Sequence, residues 1–134
     1  MIKEQETKYI RRLLSTLTTM FSLTEKAATA SGDWSNLLLD KVVFITGGGG
    51  GIGSAISLTC ALHGARVAVS DVDKAAADKV ATTIVGSTDG EVGRTDRVIS
   101  LELNTVDEQA IHKAVKMVVD KWGTIDVLVN TYVR

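Results

Sequence analysis

The sequence has few of the features that mark secreted or membrane proteins. A single cysteine, Cys60, stands among its 134 residues, within the apolar pattern of a predicted helix. A lone thiol at such a position is typical of a small buried side chain in a reducing compartment. The sequence shows neither a secretory signal nor an apolar run near the roughly 18 residues of a membrane span. We therefore expect a soluble protein with no membrane span.

Positive and negative charges are also nearly balanced in this sequence. The formal net charge is −1, with 45% hydrophobic and 23% charged residues, so the composition indicates neither a disordered chain nor a nucleic-acid surface. His63 and His112 fall on separate predicted helices, without the spacing of zinc ligands. A chain of this length forms one domain that buries about two-thirds of its unfolded surface. We expect no nucleic-acid partner and no metal site.

Glycine, by contrast, is concentrated at one place. The run Val42–Ile45 predicts a strand buried on both faces, and the glycines Gly47–Gly51 follow after Thr46. Ile52 to His63 then carry apolar residues at helical spacing. A strand, a tight glycine turn and a helix aim backbone N–H groups and the positive end of a helix at one point, where a pyrophosphate can approach. The predicted ligand is a dinucleotide, and the alternative is a flexible polyglycine linker.

The glycines fit two spacing patterns. One is G-x-G-x-x-G beginning at Gly48, and the other is G-x-x-x-G-x-G beginning at Gly47. With Thr46 before it, the second pattern resembles the T-G-x-x-x-G-I/L-G fingerprint of the short-chain dehydrogenase/reductase family. This resemblance implies a cofactor site formed by Gly47, Gly49, Gly50, Gly51, Ile52 and Gly53.

Strand and helix signals alternate along the rest of the chain, which predicts an α/β fold with a parallel sheet. The predicted strands are Val42–Thr46, Ala65–Ser70, Val98–Leu103 and Ile125–Asn130. The second predicted helix is capped by Asp73 and ended by Gly86, and the third opens with a capping box of Thr105 and Glu108. The family resemblance implies a Rossmann-type doubly wound parallel sheet of about four strands in the order 3-2-1-4.

An acid closes the second predicted strand. Asp71 lies 18 positions beyond Gly53, close to the spacing of the carboxylate that accepts hydrogen bonds from the adenosine ribose in dinucleotide-binding folds. The same carboxylate would repel the 2′-phosphate of NADP, and neither Gly48–Gly50 nor Val72 supplies a compensating cation. We therefore predict NAD as the cofactor; the alternative is a strand-end carboxylate in water.

Two asparagines extend the resemblance to strands three and four. The family often has an aspartate after strand three that accepts a hydrogen bond from the adenine amino group; Asn104 stands there, and its amide carbonyl can accept the same bond. The alternative is that Asn104 merely ends a strand. Trp122–Asn130 reads W-G-T-I-D-V-L-V-N, similar to the family's W/F-G-x-I/L-D-x-L-V-N, which implies a cofactor role for Asn130. Of the N-N-A-G that follows in the family, this chain keeps only Asn130.

The resemblance also implies catalytic residues that these 134 residues lack. Family members use a downstream serine and a Tyr-x-x-x-Lys pair, whose lysine lowers the pKa of the tyrosine for proton transfer. Neither tyrosine of this sequence is followed by a lysine at the fourth position: Leu13 stands four residues after Tyr9, and only two residues follow Tyr132. We expect the NAD(H)-binding half of such an oxidoreductase, in a truncated form that would act on a small-molecule substrate only if completed by a C-terminal half. The alternative is a non-catalytic dinucleotide-binding or dimerisation module that self-associates through an exposed sheet edge.

The N-terminal residues 1–36 differ from the predicted Rossmann domain at 37–134. Residues 1–32 carry five basic and three acidic side chains, and their apolar residues repeat at helical spacing, which predicts a basic amphipathic leader. The three acids are unusual for a transit peptide. We expect a cytoplasmic protein whose leader packs on the domain or frays, with mitochondrial targeting as the alternative.

Overall fold

The computed structural model describes residues 36–87 and 95–131. Apart from Asn36, the predicted leader therefore lies outside the described residues. Within the described ranges the order of elements is β1 (Val42–Thr46), α1 (Gly51–Leu62), β2 (Arg66–Asp71), α2 (Lys74–Ser87), β3 (Val98–Glu102), α3 (Glu108–Trp122) and β4 (Val127–Asn130). A short 3-10 turn, Thr95–Arg97, precedes β3. None of these helices is long and apolar enough to cross a bilayer.

The four strands form one parallel sheet in the order β3-β2-β1-β4, which confirms the predicted α/β fold and strand order. Strand β1 lies between β2 and β4, and all five of its residues are buried, as expected of a strand covered on both faces. After β3 the chain returns past β1 to form β4. A cleft therefore opens at the carboxyl ends of β1 and β4, the position at which open α/β sheets bind ligands.

Alternate residues of the strands build two cores, one on each face of the sheet. Helices α1 and α2 cover one face, and its buried residues include Val43, Ile45, Val67, Val69, Ala61 and Ile84. Helix α3 covers the other, and its buried residues include Phe44, Ala68, Leu101, Leu103, Ala114 and Val118. This alternation follows from the period of two in a strand. Cys60 packs at the margin of the first core, where burial raises the pKa of its thiol.

The start of helix α3 differs from the prediction. The expected capping box of Thr105 and Glu108 is wrong, because Asp107 is the N-cap residue: its carboxylate accepts hydrogen bonds from the amides of Gln109 (2.9 Å) and Ala110 (3.2 Å). An aspartate caps a helix at least as well as a threonine. The helix therefore begins two residues later than a cap at Thr105 would place it.

At helix α2 one predicted boundary is confirmed and the other is wrong. Asp73 caps the helix, since its Oδ1 accepts hydrogen bonds from the amides of Ala75 (3.0 Å) and Ala76 (3.2 Å). Gly86 does not end it, because the helix continues to Ser87. A glycine ends a helix by adopting a left-handed conformation, which Gly123 does at the end of α3 and Gly86 does not.

A network of charged side chains, Asp40, Arg66 and Arg97, lies at the amino-terminal edge of the sheet. Asp40 has a left-handed backbone (φ 59°), and its carboxylate accepts hydrogen bonds from Arg97 (3.0 Å) and Arg66 (3.2 Å). Arg97 also donates to the carbonyl of Gly64, 2.6 Å away, and is the main reason that the pKa of Asp40 is lowered. The network thus joins the segments that lead into β1, β2 and β3.

An apolar groove lies between α3 and β4. It has a volume of about 470 Å³ and is lined by Phe44, Thr46, Leu103, Thr105, Ile111, Val115, Ile125, Leu128 and Asn130. Strand β4 pairs with β1 on one side, and its Leu128 is 59% exposed. Among the described residues, no further strand or helix covers the groove or the outer edge of β4.

Candidate functional site

The turn between β1 and α1 folds the carbonyl group of Gly47 into the protein. Gly47 has a left-handed backbone (φ 67°), which glycine adopts without the steric cost that other residues carry. Its carbonyl oxygen accepts hydrogen bonds from the amide of Gly50 (3.2 Å) and the hydroxyl of Thr131 (3.0 Å). The turn therefore brings the N-terminus of α1 directly over the carboxyl end of β1.

The amides within the turn are bound by the protein itself. Gly48 donates to the carbonyl of Ser70 (2.8 Å), Gly49 donates to Oδ2 of Asp71 (3.0 Å), and Gly50 donates to Gly47. The first amides of a helix, by contrast, have no acceptor within the helix, and the N-cap residue Gly50 has no side chain that could supply one. An incoming anion would therefore meet the amides at the start of α1.

Gly53 and Gly51 have different surroundings. A Cβ atom on Gly53 would lie 2.2 Å from the carbonyl oxygen of Gly47 and 2.8 Å from Oγ1 of Thr131, whereas a Cβ on Gly51 would meet no atom within 4 Å. Gly53 is thus required for α1 to pack on the turn, and Gly51 leaves the backbone open to an approaching group. The neighbouring side chain of Ile52 is 72% exposed. Gly53 belongs to both spacing patterns, and Gly48 of the other pattern is also closely packed, since a Cβ there would lie 2.7 Å from Cγ1 of Val69.

Asp71 is held in a fixed orientation beside the turn. Its Oδ2 accepts the hydrogen bond from Gly49, and its Oδ1 accepts one from the amide of Asp73 (3.0 Å). A carboxylate offers about four acceptor positions, so each oxygen keeps capacity for one more donor. Gly49 is equally constrained, since a Cβ there would lie 2.7 Å from Cβ of Ala76 in α2. The two free acceptor positions suit a pair of neighbouring hydroxyl groups.

The two predicted asparagines lie at the same edge of the sheet. Asn130 ends β4, and its Oδ1 accepts a hydrogen bond from the hydroxyl of Thr46 (2.9 Å), its register partner on the adjacent strand β1. Asn104 is exposed beyond β3, where its Oδ1 accepts a hydrogen bond from the amide of Val106 (3.2 Å). Asn130 is therefore hydrogen-bonded to the end of β1. Asn104 follows β3, the edge strand farthest from β4.

Thr131 belongs to the site, although its sequence position indicated only a departure from the family's N-N-A-G. Its hydroxyl lies 2.7 Å from the carbonyl oxygen of Thr46 and 3.0 Å from that of Gly47, and its amide donates to Thr46. These contacts join residues about 85 positions apart, so only the folded chain reveals them. The one sequence signal was the location of Thr131 directly after a strand at the cleft.

His, Cys, Asp and Glu side chains, the types that ligate metal ions, also occur in the described ranges. No three His, Cys, Asp or Glu side chains there come together as a metal site. Nε2 of His112 lies 3.7 Å from a carboxylate oxygen of Glu108 on the same helix face, and both side chains are largely exposed. The helical amides at the start of α1 and the remaining acceptor positions of Asp71 can bind an anion and hydroxyl groups.

Comparison with known proteins agrees with this geometry. Residues 41–131 match the family model for short chain dehydrogenases. The chain is 37% identical over 93 residues to (+)-borneol dehydrogenase 2 of Salvia officinalis, covering 69% of this chain and 30% of that protein. It is 40% identical over 90 residues to a 3-oxoacyl-(acyl-carrier-protein) reductase of Thermotoga maritima, covering 67% and 34%. The chain thus spans about a third of the length of these relatives.

Solved structures show the same similarity. A hydroxysteroid dehydrogenase from Escherichia coli superposes with a TM-score of 0.62 at 35% identity, covering 72% of this chain and 38% of that one. A 3-ketoacyl-(acyl-carrier-protein) reductase from Brucella melitensis, complexed with NADH, superposes with a TM-score of 0.58 at 32% identity, covering 68% and 33%. Because the family model matches more than half of the chain and the sheet has the same strand order as the sequence predicted, this protein belongs to the short-chain dehydrogenase/reductase family.

Proposed function

We propose that this chain is the NAD(H)-binding half of a short-chain dehydrogenase/reductase-like oxidoreductase. The observation that supports this most directly is the 3.0 Å hydrogen bond between the amide of Gly49 and the carboxylate of Asp71. It connects the glycine turn, which presents the start of a helix, to an acid with acceptor capacity for ribose hydroxyls. The phosphate-binding and ribose-binding groups are thereby adjacent.

The dinucleotide would be held along the carboxyl edge of the sheet. Its pyrophosphate would lie at the amides of Gly51, Ile52 and Gly53, where the helix dipole favours negative charge. Asn104 would lie at the adenine end, and Asn130 would support the end of β1 through Thr46. When bound, NAD(H) would accept or supply a hydride; a small-molecule substrate and its proton transfer would require residues of a C-terminal half.

NAD is favoured over NADP by charge. The carboxylate of Asp71 would repel a 2′-phosphate, and the next cation along the chain, Lys74, is already hydrogen-bonded to Asp78 and to Ser100 (3.2 Å). Lys74 is therefore directed toward β3 instead of toward the ribose position.

We expect Asp71→Ala to weaken NADH binding ten- to a hundredfold, because removal of hydrogen bonds to a charged group costs about 1.5–3 kcal/mol. NADPH should bind the unmutated chain more weakly than NADH. Asp71→Ala should make the affinities for the two cofactors more nearly equal. Calorimetric titration of the unmutated chain and of Asp71→Ala with NADH and with NADPH measures these affinities. Asp120→Ala on α3, which removes an exposed carboxylate far along the chain from the turn, is the matched control. Equal affinities for NADH and NADPH in the unmutated chain would contradict the assignment.

The second candidate function is a non-catalytic dinucleotide-binding or dimerisation module. The apolar groove between α3 and β4 favours it, because exposed apolar surface next to an open strand edge promotes pairing with another chain. Leu128, at 59% exposure, contributes to both features.

We expect the 134-residue chain to self-associate through this surface. Leu128→Lys should shift it toward the monomer, since a charged side chain on an edge strand opposes pairing. Sedimentation velocity over a concentration series measures the shift, with Leu37→Lys, another exposed leucine, as control. A monomeric unmutated chain at all concentrations would contradict this expectation.

We also propose a cytoplasmic location, with the mitochondrion as the alternative. The single cysteine and the three acids among residues 1–32 support this choice. Imaging of the full chain and of a variant lacking residues 1–36, both fused to a fluorescent protein, tests it.

A further inference from the structure

We propose that Thr131 is a positioning residue for the phosphate-binding turn, an inference that rests on the proposed dinucleotide function. Its hydroxyl lies 3.0 Å from the carbonyl oxygen of Gly47 and 2.7 Å from that of Thr46. Both carbonyl oxygens lie within hydrogen-bonding distance of this one hydroxyl group. Thr131 thereby connects the end of β4 to the first peptide group of the glycine turn.

Glycine restricts the backbone of this turn less than other residues would, so hydrogen bonds must hold its conformation. The peptide group between Gly47 and Gly48 has a glycine on either side, and glycine reaches positive and negative φ with similar ease. Sterics alone would therefore allow this peptide group to rotate and carry the Gly47 carbonyl oxygen outward. An outward carbonyl would present the negative end of a dipole to an incoming phosphate. Three hydrogen bonds hold this peptide group: Gly50 (3.2 Å) and Thr131 (3.0 Å) donate to its oxygen, and its own N–H, that of Gly48, donates to the carbonyl of Ser70 (2.8 Å).

Thr131 is itself held firmly enough to act in this way. Its amide donates to the carbonyl of Thr46 at 3.1 Å, and Thr46 pairs with Asn130 both in the sheet register and through its hydroxyl. Its Oγ1 also lies 2.8 Å from the position that a Cβ on Gly53 would occupy. The hydroxyl thus contacts the turn on one side and the first turn of α1 on the other.

The test compares Thr131→Val, which keeps the shape and removes the hydroxyl, with Thr131→Ser, which keeps the hydroxyl. Thr59→Val is the matched control, because it removes a hydroxyl-to-carbonyl hydrogen bond (2.8 Å to Ala55) on α1, away from the turn. Each variant is titrated with NAD and with adenosine, which lacks phosphate. We expect Thr131→Val to weaken NAD binding about tenfold and to leave adenosine binding unchanged. Thr131→Ser and Thr59→Val should bind both as the unmutated chain does.

Two results would overturn the proposal: unchanged NAD affinity in Thr131→Val, or an equal loss for NAD and adenosine, which would show only a general loss of structure. Amide hydrogen exchange of Gly50 in the ligand-free protein gives an independent measurement. It should be about fivefold or more faster in Thr131→Val than in Thr59→Val, as expected when a neighbouring hydrogen bond is lost. If the unmutated chain binds no NAD, the proposed function fails, and the exchange rate alone decides the role of Thr131.

Discussion

Gly53→Ala should abolish dinucleotide binding, whereas Gly51→Ala should leave the fold intact. A Cβ at residue 53 would lie 2.2 Å from the backbone carbonyl oxygen of Gly47 and 2.8 Å from the Cα of Gly48, so helix α1 must move away from the turn. Forcing an atom into a packed site costs about 1–3 kcal/mol or more, a large part of the 5–15 kcal/mol that stabilises a typical domain. We expect a loss of more than about a hundredfold in NAD affinity and a clearly lower melting temperature.

Gly51→Ala is the matched control for this substitution. Its added methyl group meets no atom within 4 Å, and alanine in place of glycine at a compatible backbone position stabilises a protein by about 0.4–1 kcal/mol, chiefly by restricting the unfolded chain. The melting temperature should therefore stay or rise, while NAD affinity falls because the methyl group occupies space next to the first helical amides. Thermal unfolding and calorimetry on both variants separate folding from binding. Gly53→Ala with NAD affinity within tenfold of the unmutated chain would contradict the assigned packing.

The 134-residue chain should bind NAD without catalysing hydride transfer. A positioned general acid or base contributes about 10²–10⁴-fold to the rate of such reactions, and the sequence contains no Tyr-x-x-x-Lys that could provide one. Loss of the groups that orient substrate against cofactor removes a further contribution of about 7–11 kcal/mol. Together these losses place turnover below detection.

NADH oxidation and NAD reduction are measured with a panel of ketones, hydroxysteroids and short alcohols, using protein of verified intact mass. The control is the same chain extended by whatever residues its reading frame encodes beyond Arg134. A downstream Ser and Tyr-x-x-x-Lys in that extension should restore turnover. Reproducible turnover by the 134-residue chain that disappears in Gly53→Asp would show that a catalytic group exists among these residues.

The sequence predicted the sheet well because its signals are local. The apolar run Val42–Ile45 and the glycines after it identify β1 and its turn without any long-range information. Strand order came from the family resemblance, and the structure confirms it. The roles of individual glycines did not follow from spacing, because Gly51 and Gly53 look alike in sequence and differ in the space around them.

Caps and long-range hydrogen bonds were harder to predict. Thr105 and Asp107 are both good N-cap residues, and spacing alone does not decide between them. Thr131 was missed for a different reason. Its partners, Thr46 and Gly47, are about 85 residues earlier in the chain, and no local pattern records a contact at that separation.

The charged network at the amino-terminal edge also bears on how the protein folds and unfolds. Asp40 and Arg97 are 57 residues apart, and Arg97 and Gly64 are 33 apart. Closing such loops costs chain entropy before the contacts can compensate for it, and these bonds need the ends of β1, β2 and β3 in place, so we expect them to form after the strands have paired. Contacts that are absent from the transition state slow unfolding and have little effect on the folding rate. We therefore expect the network to extend the lifetime of the folded domain.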